Sequence, residues 1–143
     1  MKRFLFLILL CSPLLFTSCE DKYYVTEEYY DGAAVRTEYL TVQPSHWQGI
    51  GTYGQPGYFL EAAYNVNYIT NDVIDKGAVL VYAIYDDGDI QLPYVLTRDV
   101  GYTIIEMLGY QLYPGGIAFT LDNSDFQAEA YSGPLKFKIV VVR

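Results

Sequence analysis

Short apolar segments alternate with clusters of Gly, Pro, Asn and Asp along most of this chain, from about residue 36 to residue 143. About seven such segments occur, and none has the 3.6-residue periodicity of a long amphipathic helix. Short strands separated by turn-forming residues are typical of a sandwich or a barrel. The pattern therefore predicts an all-β domain over residues 36–143, in the form of an antiparallel, immunoglobulin-like β-sandwich of about seven strands with one short helical crossover.

Three of the predicted strands alternate apolar and polar side chains. Residues 58–66 place Tyr, Leu, Ala, Tyr and Val on one face, while residues 117–122 and 135–142 place Ile, Phe and Leu or Leu, Phe, Ile and Val on theirs. Because successive side chains of a strand point to opposite faces, each segment has one face for a core and one for solvent. The first predicted strand spans residues 36–42, and its pattern is less clear than that of residues 58–66.

The middle of the chain has a different pattern. Residues 78–85, AVLVYAIY, are apolar at every position, which predicts a central strand covered on both faces. The Asp-Gly pair at 87–88 predicts a tight hairpin into a further strand at residues 90–97. Residues 101–113 are expected to form either one strand or two strands that are split near Gly109.

One short helix is predicted between these strands. Thr70 can accept a hydrogen bond at the start of a helical turn over residues 71–76, and Gly77 can end that turn. We expect this turn to carry the chain from one sheet of the sandwich to the other.

The first 18 residues have the composition of a sorting signal. Residues 1–3 carry two positive charges and residues 4–16 are almost wholly apolar, as in a secretory signal peptide. The apolar segment is shorter than the roughly 20 residues that a helix needs to cross a bilayer. We therefore expect a signal peptide over residues 1–18 and no lasting membrane span there.

Phe16-Thr17-Ser18 followed by Cys19 resembles the lipobox of bacterial lipoproteins. The resemblance implies cleavage between Ser18 and Cys19 and attachment of a lipid to the Cys19 sulfur. One alternative is an ordinary signal peptide that leaves Cys19 as a free thiol. A disulfide between Cys11 and Cys19 would require that the signal peptide be retained, because Cys11 lies inside it.

Charge narrows the choice of partners. Removal of Lys2 and Arg3 with the signal peptide lowers the formal net charge from −8 to −10, since all 17 acidic residues lie beyond the cleavage site. Such a surface repels nucleic acid and anionic lipid headgroups. We therefore expect no nucleic-acid partner, and we expect the membrane to be contacted through the acyl chains at the N-terminus.

Residues 19–35 form an acidic, Tyr-rich segment that is expected to be either a linker or an added edge strand. Glu20-Asp21-Lys22 resembles the acidic surface-export signals that follow the lipidated cysteine in Bacteroidota lipoproteins. The resemblance implies an outer-membrane location, with the cell surface favoured over the periplasmic face.

Three segments of the predicted domain resemble a small domain that recurs in Bacteroidota lipoproteins. They are ITNDVIDKGAVLVYAIYDD at residues 69–87, LPYVLT at residues 92–97 and FKIVVV at residues 137–142. The resemblance implies a sandwich and a lipoprotein, and it implies no catalytic residue.

No constellation with a recognisable chemistry was found in the residues themselves. His46 is the one histidine, and its neighbour Ser45 does not by adjacency make a nucleophile and base. The acidic cluster at residues 86–89 lacks the spacing of a calcium-binding EF-hand and is explained by a hairpin turn. We therefore expect no catalytic residue, no metal site, no cofactor and no enzymatic activity.

Aromatic side chains are the more informative feature. The chain has 16 tyrosines, and the Gly-rich segment 47–58 begins with its one tryptophan. Exposed aromatic residues on such a loop can stack on sugars or dock a protein, which makes Trp47, Tyr53 and Tyr58 candidate ligand-binding residues. The simpler interpretation of Trp47 is that it fills the core between the sheets.

These observations predict a lipid-anchored β-sandwich protein of the cell envelope, acting as a non-catalytic binding or assembly module with a glycan or an envelope protein as partner. One alternative is a carboxylate-based hydrolase. Another is a fimbrial or pilus-type subunit that lends a strand such as residues 135–142 to its neighbour.

Overall fold

The computed structural model describes residues 25–30 and 33–143. The predicted signal peptide, the cleavage site at Ser18 and Cys19, the lipid site at Cys19 and the export signal lie outside these residues. The described part of the chain forms ten strands: β1 Val25–Tyr30, β2 Ala33–Val42, β3 Gln48–Ile50, β4 Phe59–Asn65, β5 Ala78–Tyr85, β6 Gly88–Gln91, β7 Tyr94–Asp99, β8 Thr103–Tyr113, β9 Gly116–Asn123 and β10 Leu135–Val142. It also has one α-helix, α1 Asn71–Lys76, and a 3-10 turn at Pro44–His46.

The strands make two antiparallel sheets of five. The first sheet has the order β1-β2-β10-β5-β6 and the second has the order β3-β4-β9-β8-β7. This confirms the predicted all-β sandwich, with ten strands in the described residues rather than about seven. The strand order differs from that of an immunoglobulin domain. In an immunoglobulin domain the last two strands share a sheet, whereas here β9 and β10 lie in opposite sheets.

Part of the difference in strand number arises at residues 90–97, which were predicted as one strand. The expected hairpin is present, with Tyr85 paired to Gly88. At the cis Leu92-Pro93 bond, however, the chain leaves β6 in the first sheet and enters β7 in the second. Pro93 has no N–H to donate to a ladder, so a strand that ends there loses no hydrogen bond.

Residues 103–113 form the single strand β8 and are not split at Gly109, which is the first of the two alternatives predicted for this segment. Gly109 pairs with Thr120 of β9, and a Cβ at this position would lie 3.1 Å from the Thr120 hydroxyl oxygen. Glycine here accommodates the neighbouring strand closely while the ladder continues.

The helix α1 connects β4 of the second sheet to β5 of the first, as predicted. The Thr70 hydroxyl accepts a hydrogen bond from the Val73 N–H at 3.3 Å, and the Gly77 N–H donates to the Val73 carbonyl at 2.9 Å. A Cβ on Gly77 would lie 2.5 Å from the Val142 carbonyl oxygen. The φ of Gly77, −96°, is open to any residue, so its backbone conformation does not require glycine. The close approach of β10 does.

The core lies between the two sheets. Its centre is a stack of Phe119 from β9 on Phe137 from β10, with ring centroids 3.9 Å apart and both side chains fully buried. The inward alternation predicted for residues 117–122 and 135–142 is confirmed. Among the described residues, no helix is long and apolar enough to cross a membrane.

The strand β5 is interior to its sheet, between β10 and β6, but it is not covered fully on both faces. Val81 and Ala83 are buried in the core. The side chains that alternate with them, on the opposite face of the strand, are only half-buried. On that outer face the Lys138 ammonium lies 4.6 Å from the centroid of the Tyr82 ring. The aliphatic stem of Lys138 therefore lies over this outer face. The sequence had predicted that this face would be covered like the inner one.

Candidate functional site

A cleft of about 220 Å³ opens at the end of the second sheet, between the strands β7, β8 and β9 and the two loops that follow β3 and β9. We call it the polar cleft. Its polar lining residues are Tyr53, Arg98, Tyr102, Glu106, Asn123, Asp125, Gln127 and Glu129.

The inner wall of the polar cleft is formed by two polar residues at positions where the strand pattern calls for apolar ones. Glu106 of β8 and Asn123 of β9 are register partners. Glu106 is 3% exposed and lies between the buried Ile104 and Leu108, and Asn123 is 7% exposed and follows the buried Leu121 by two residues. Both side chains are therefore in the inward phase of their strands.

Glu106 is held by two protein groups. The Tyr131 hydroxyl donates to Oε1, and the Arg98 guanidinium lies 3.4 Å from Oε2. Burial raises the pKa of Tyr131 far above its ordinary value, and the hydrogen bond and charge of Glu106 raise it further. The phenol thus remains a donor, and the carboxylate keeps a fixed orientation at the base of the cleft.

Asn123 is not held in this way. Its Oδ1 atom is buried and has no hydrogen-bond partner among the residues that the structure describes. Buried polar atoms in native proteins are nearly always paired, so an unpaired one calls for an explanation. The position of Asn123 in the lining of the polar cleft offers one, which is developed below.

The rim of the cleft is ordered by a tight turn after β9. The Asp125 carboxylate accepts from the Gln127 N–H at 3.1 Å and from the Tyr102 hydroxyl at 3.2 Å. Phe126, between Asp125 and Gln127, has a φ of +59°. This value is uncommon for a bulky residue and is found where the surroundings enforce it. The Phe126 carbonyl accepts from the Gly54 N–H at 2.8 Å, so the turn is tied to the Gly-rich loop across the cleft.

Two exposed tyrosines stand at this rim. Tyr53 is 51% exposed and its hydroxyl lies 3.4 Å from the Glu129 carboxylate, while Tyr102 is 57% exposed and donates to Asp125. Partial desolvation and the charge of Glu129 raise the pKa of Tyr53, and the hydrogen bond to Asp125 raises that of Tyr102. Both tyrosines line the cleft at its rim.

The three aromatic residues predicted as a binding platform occupy different places. Tyr53 lines the polar cleft, and Tyr58 is half-buried and supports it edge-on, with ring centroids 5.3 Å apart and an angle of 73°. Trp47 is 9% exposed and belongs to the hydrophobic core. The structure therefore agrees with the simpler of the two interpretations of Trp47, in which its side chain fills the core where the chain passes from β2 to β3.

The remaining residues of the cleft were not predicted as a site. The sequence did contain a signal for the two residues of the inner wall. Glu106 and Asn123 are polar residues at inward positions of strands whose other inward residues are apolar. Charged and amide side chains are rarely buried without a reason, so this signal could have been used. The others are brought together by the strand pairings and the loops, which the local sequence does not encode.

His46 has a structural position. Its Nδ1 atom accepts from the Gln43 N–H at 3.4 Å and lies 2.5 Å from the Tyr64 hydroxyl, which joins the 3-10 turn to β4. At the acidic hairpin, Asp89 pairs with Lys138. Within residues 33–143, no three His, Cys, Asp or Glu side chains converge where a metal ion could be held.

A second buried carboxylate shows which features of the cleft are distinctive. Glu38 of β2 is 4% exposed and accepts from the Tyr68 hydroxyl, and the Arg36 guanidinium lies 4.6 Å from the centroid of the Tyr68 ring. A buried glutamate paired with a tyrosine is thus used twice in this fold. Only the pair at Glu106 lies beside an unpaired amide oxygen and beneath exposed tyrosines.

Comparison of the chain with protein-family models, with curated proteins and with solved structures finds no significant match. The function must therefore be argued from the site itself.

Proposed function

We propose that this protein is a lipid-anchored β-sandwich of the bacterial cell envelope that binds a glycan in the polar cleft without transforming it. The membrane is contacted through a lipid on Cys19, at the outer membrane and with the cell surface favoured over the periplasmic face. An envelope protein as partner stays a prediction from the sequence.

The observation that carries the proposal is the combination of exposed aromatic rings with fixed polar groups in one concave site. Tyr53 and Tyr102 flank the mouth, while Glu106, Asn123 and Asp125 provide oriented oxygen atoms within. Sites for small ligands combine apolar or aromatic walls with a few placed polar groups. Sugars suit such walls because their C–H faces pack on rings and their hydroxyls hydrogen-bond to carboxylates and amides.

The arrangement of the carboxylates favours binding over hydrolysis. A glycoside hydrolase needs one carboxyl group that can donate a proton and another that can attack or activate water. Here both oxygens of Glu106 and both oxygens of Asp125 already interact with donors from the protein. These interactions hold each carboxyl group in one orientation, which suits recognition.

The position of β10 argues against a fimbrial subunit that lends this strand. β10 is paired along its length with β2 on one side and with β5 on the other. Lending it to a neighbour would remove the centre of the first sheet and expose the inner face of the core.

The test of binding uses isothermal titration of the chain from residue 20 onward, without its lipid site, against a panel of soluble oligosaccharides. Tyr53→Ala and Tyr102→Ala should each weaken the binding of a positive oligosaccharide about tenfold or more, since stacking residues dominate small binding surfaces. Tyr39→Ala is the matched control, because Tyr39 is an exposed tyrosine on the first sheet. Equal affinities for all four proteins would place the binding site elsewhere, and no binding across the panel would remove the proposed function.

The lipid anchor has a separate test. Mass spectrometry of the full chain expressed in a Bacteroidota host should find acyl groups on Cys19 at a new N-terminus. Cys19→Ala should move the protein from the membrane fraction to the soluble fraction. An unmodified N-terminal peptide that begins at another residue would contradict the lipoprotein interpretation while leaving the cleft unaffected.

A further inference from the structure

The unpaired oxygen of Asn123 restricts what the polar cleft can bind. This atom can only accept a hydrogen bond, and it is buried in the part of the cleft wall beside Glu106. Leaving a buried acceptor unpaired costs stability, and a chain under no other demand would carry an apolar residue at this inward position. A ligand group that donates a hydrogen bond would satisfy the atom.

The charges around the cleft restrict the ligand in a second way. Three carboxylates, those of Glu106, Asp125 and Glu129, line it together with one guanidinium, that of Arg98. Arg98 interacts with Glu106, so its charge is already balanced, and Asp125 and Glu129 remain as negative charges at the rim. A ligand with a carboxylate of its own would meet a lining with net negative charge and would be repelled.

The cleft is also prepared for its ligand in advance. The turn at Asp125 is closed by the Gln127 N–H, and the Phe126 carbonyl is bonded to the Gly54 N–H of the facing loop. Groups that are fixed before binding lose little conformational entropy when the ligand arrives. The rim of the cleft is therefore in place before the ligand arrives. Because the Asn123 Oδ1 atom has almost no exposed surface, the side-chain amide has to rotate toward the cleft to accept from the ligand.

We infer that the polar cleft is specific for sugar units that offer hydrogen-bond donors and carry no negative charge, with Asn123 Oδ1 accepting from a ligand hydroxyl or amine. This inference rests on the proposed function and adds the class of glycan. It makes Asn123 the specificity-determining residue, and it makes Glu129 a residue that excludes acidic sugars.

The test compares three hexasaccharides of matched length by isothermal titration: xylohexaose, which is neutral, chitosan hexaose, which carries amines, and hexagalacturonate, which carries carboxylates. We expect binding of at least one of the first two and at least tenfold weaker binding of hexagalacturonate. Binding of xylohexaose would show that hydroxyl donors suffice, whereas binding of chitosan hexaose alone would point to the amine, and either result supports the inference.

Two variants make the test specific. Asn123→Leu keeps the branching and the number of heavy atoms of the side chain and removes the acceptor, so it should weaken the binding of the positive hexasaccharide at least tenfold while its urea midpoint stays equal to or above that of the wild type. A merely structural asparagine would instead lose stability on this change. Asn65→Leu, at an exposed position on the same sheet, is the control and should bind as the wild type does.

Glu129 is exposed, so Glu129→Gln is expected to fold in any case. It should tighten the binding of hexagalacturonate several-fold, whereas Asp75→Asn, which removes one negative charge from the exposed part of α1, should not. Equal binding of hexagalacturonate and the neutral sugar, or an Asn123→Leu variant that binds as the wild type does, would overturn this inference and leave the proposed function standing. Failure of all three hexasaccharides and of the wider panel would overturn the proposed function itself.

Discussion

The hydroxyl of Tyr131 is predicted to stabilise the fold through its hydrogen bond to Glu106. Tyr131→Phe removes one oxygen atom and leaves the Glu106 side chain, which is 4% exposed, with a single partner. That partner, Arg98, has a side chain that is 45% exposed and lies 3.4 Å away, so solvent screens its attraction. Water has little access to replace the lost donor, and the carboxylate stays buried.

The magnitude follows from this burial. A hydrogen bond to a charged group contributes about 1.5–3 kcal/mol, and an unsatisfied buried acceptor costs a similar amount. We therefore expect Tyr131→Phe to lower the free energy of unfolding by about 2 kcal/mol, with little change in core packing. For a domain of this size, that corresponds to a shift of about 1 M in the midpoint of urea denaturation.

The assay is equilibrium denaturation in urea followed by tyrosine fluorescence and circular dichroism. Tyr102→Phe is the matched control, since it removes the hydroxyl of an exposed tyrosine that also donates to a carboxylate, and it should cost less than about 0.5 kcal/mol. If the two variants have the same urea midpoint, then Glu106 does not depend on Tyr131 and the description of the inner wall is wrong.

Three further predictions concern the fold. Phe137→Ala should cost about 3–5 kcal/mol in urea denaturation, because it removes a fully buried ring from the central stack. Gly77→Ala should lower the thermal midpoint, since its Cβ would clash with the backbone of β10, whereas Gly133→Ala, with no atom within 4 Å of the new Cβ, should have little effect; equal midpoints would contradict the close approach. Burial and the hydrogen bond to Glu38 raise the pKa of Tyr68 well above its ordinary value near 10. Its contribution to stability is complete below about pH 10 and is lost as the pH rises above that value, by up to about 1.4 kcal/mol per pH unit, so Tyr68→Phe should flatten the alkaline part of the stability curve.

Much of the fold could be predicted from the sequence because it depends on local patterns. The alternation in residues 117–122 and 135–142 placed Phe119 and Phe137 on the same side as their aliphatic neighbours, and both are buried. Thr70 and Gly77 bound a helical turn through hydrogen bonds between residues three or four apart. Each of these features is specified by residues that are close in sequence.

The strand order and the site could not be predicted in the same way. Glu106 and Asn123 meet only because β8 and β9 pair in one register, and a shift by one residue would turn either side chain to the other face. Tyr53 was found through the composition of its loop, but the same reasoning made Trp47 a ligand-binding candidate. Whether a single aromatic residue enters the core depends on the path of the chain between sheets, which the local pattern does not record.

The place of β10 in the middle of the first sheet has a consequence for the order of events during folding. β10 pairs Leu135 with Val42 and Val142 with Val35, so the sheet joins segments from opposite ends of the described chain. Contacts between distant segments slow folding, because a long loop must close before they form. Neither β2 nor β5 can complete its ladder until β10 emerges. The first sheet is therefore expected to form late in folding, because its central strand joins segments that are far apart along the chain.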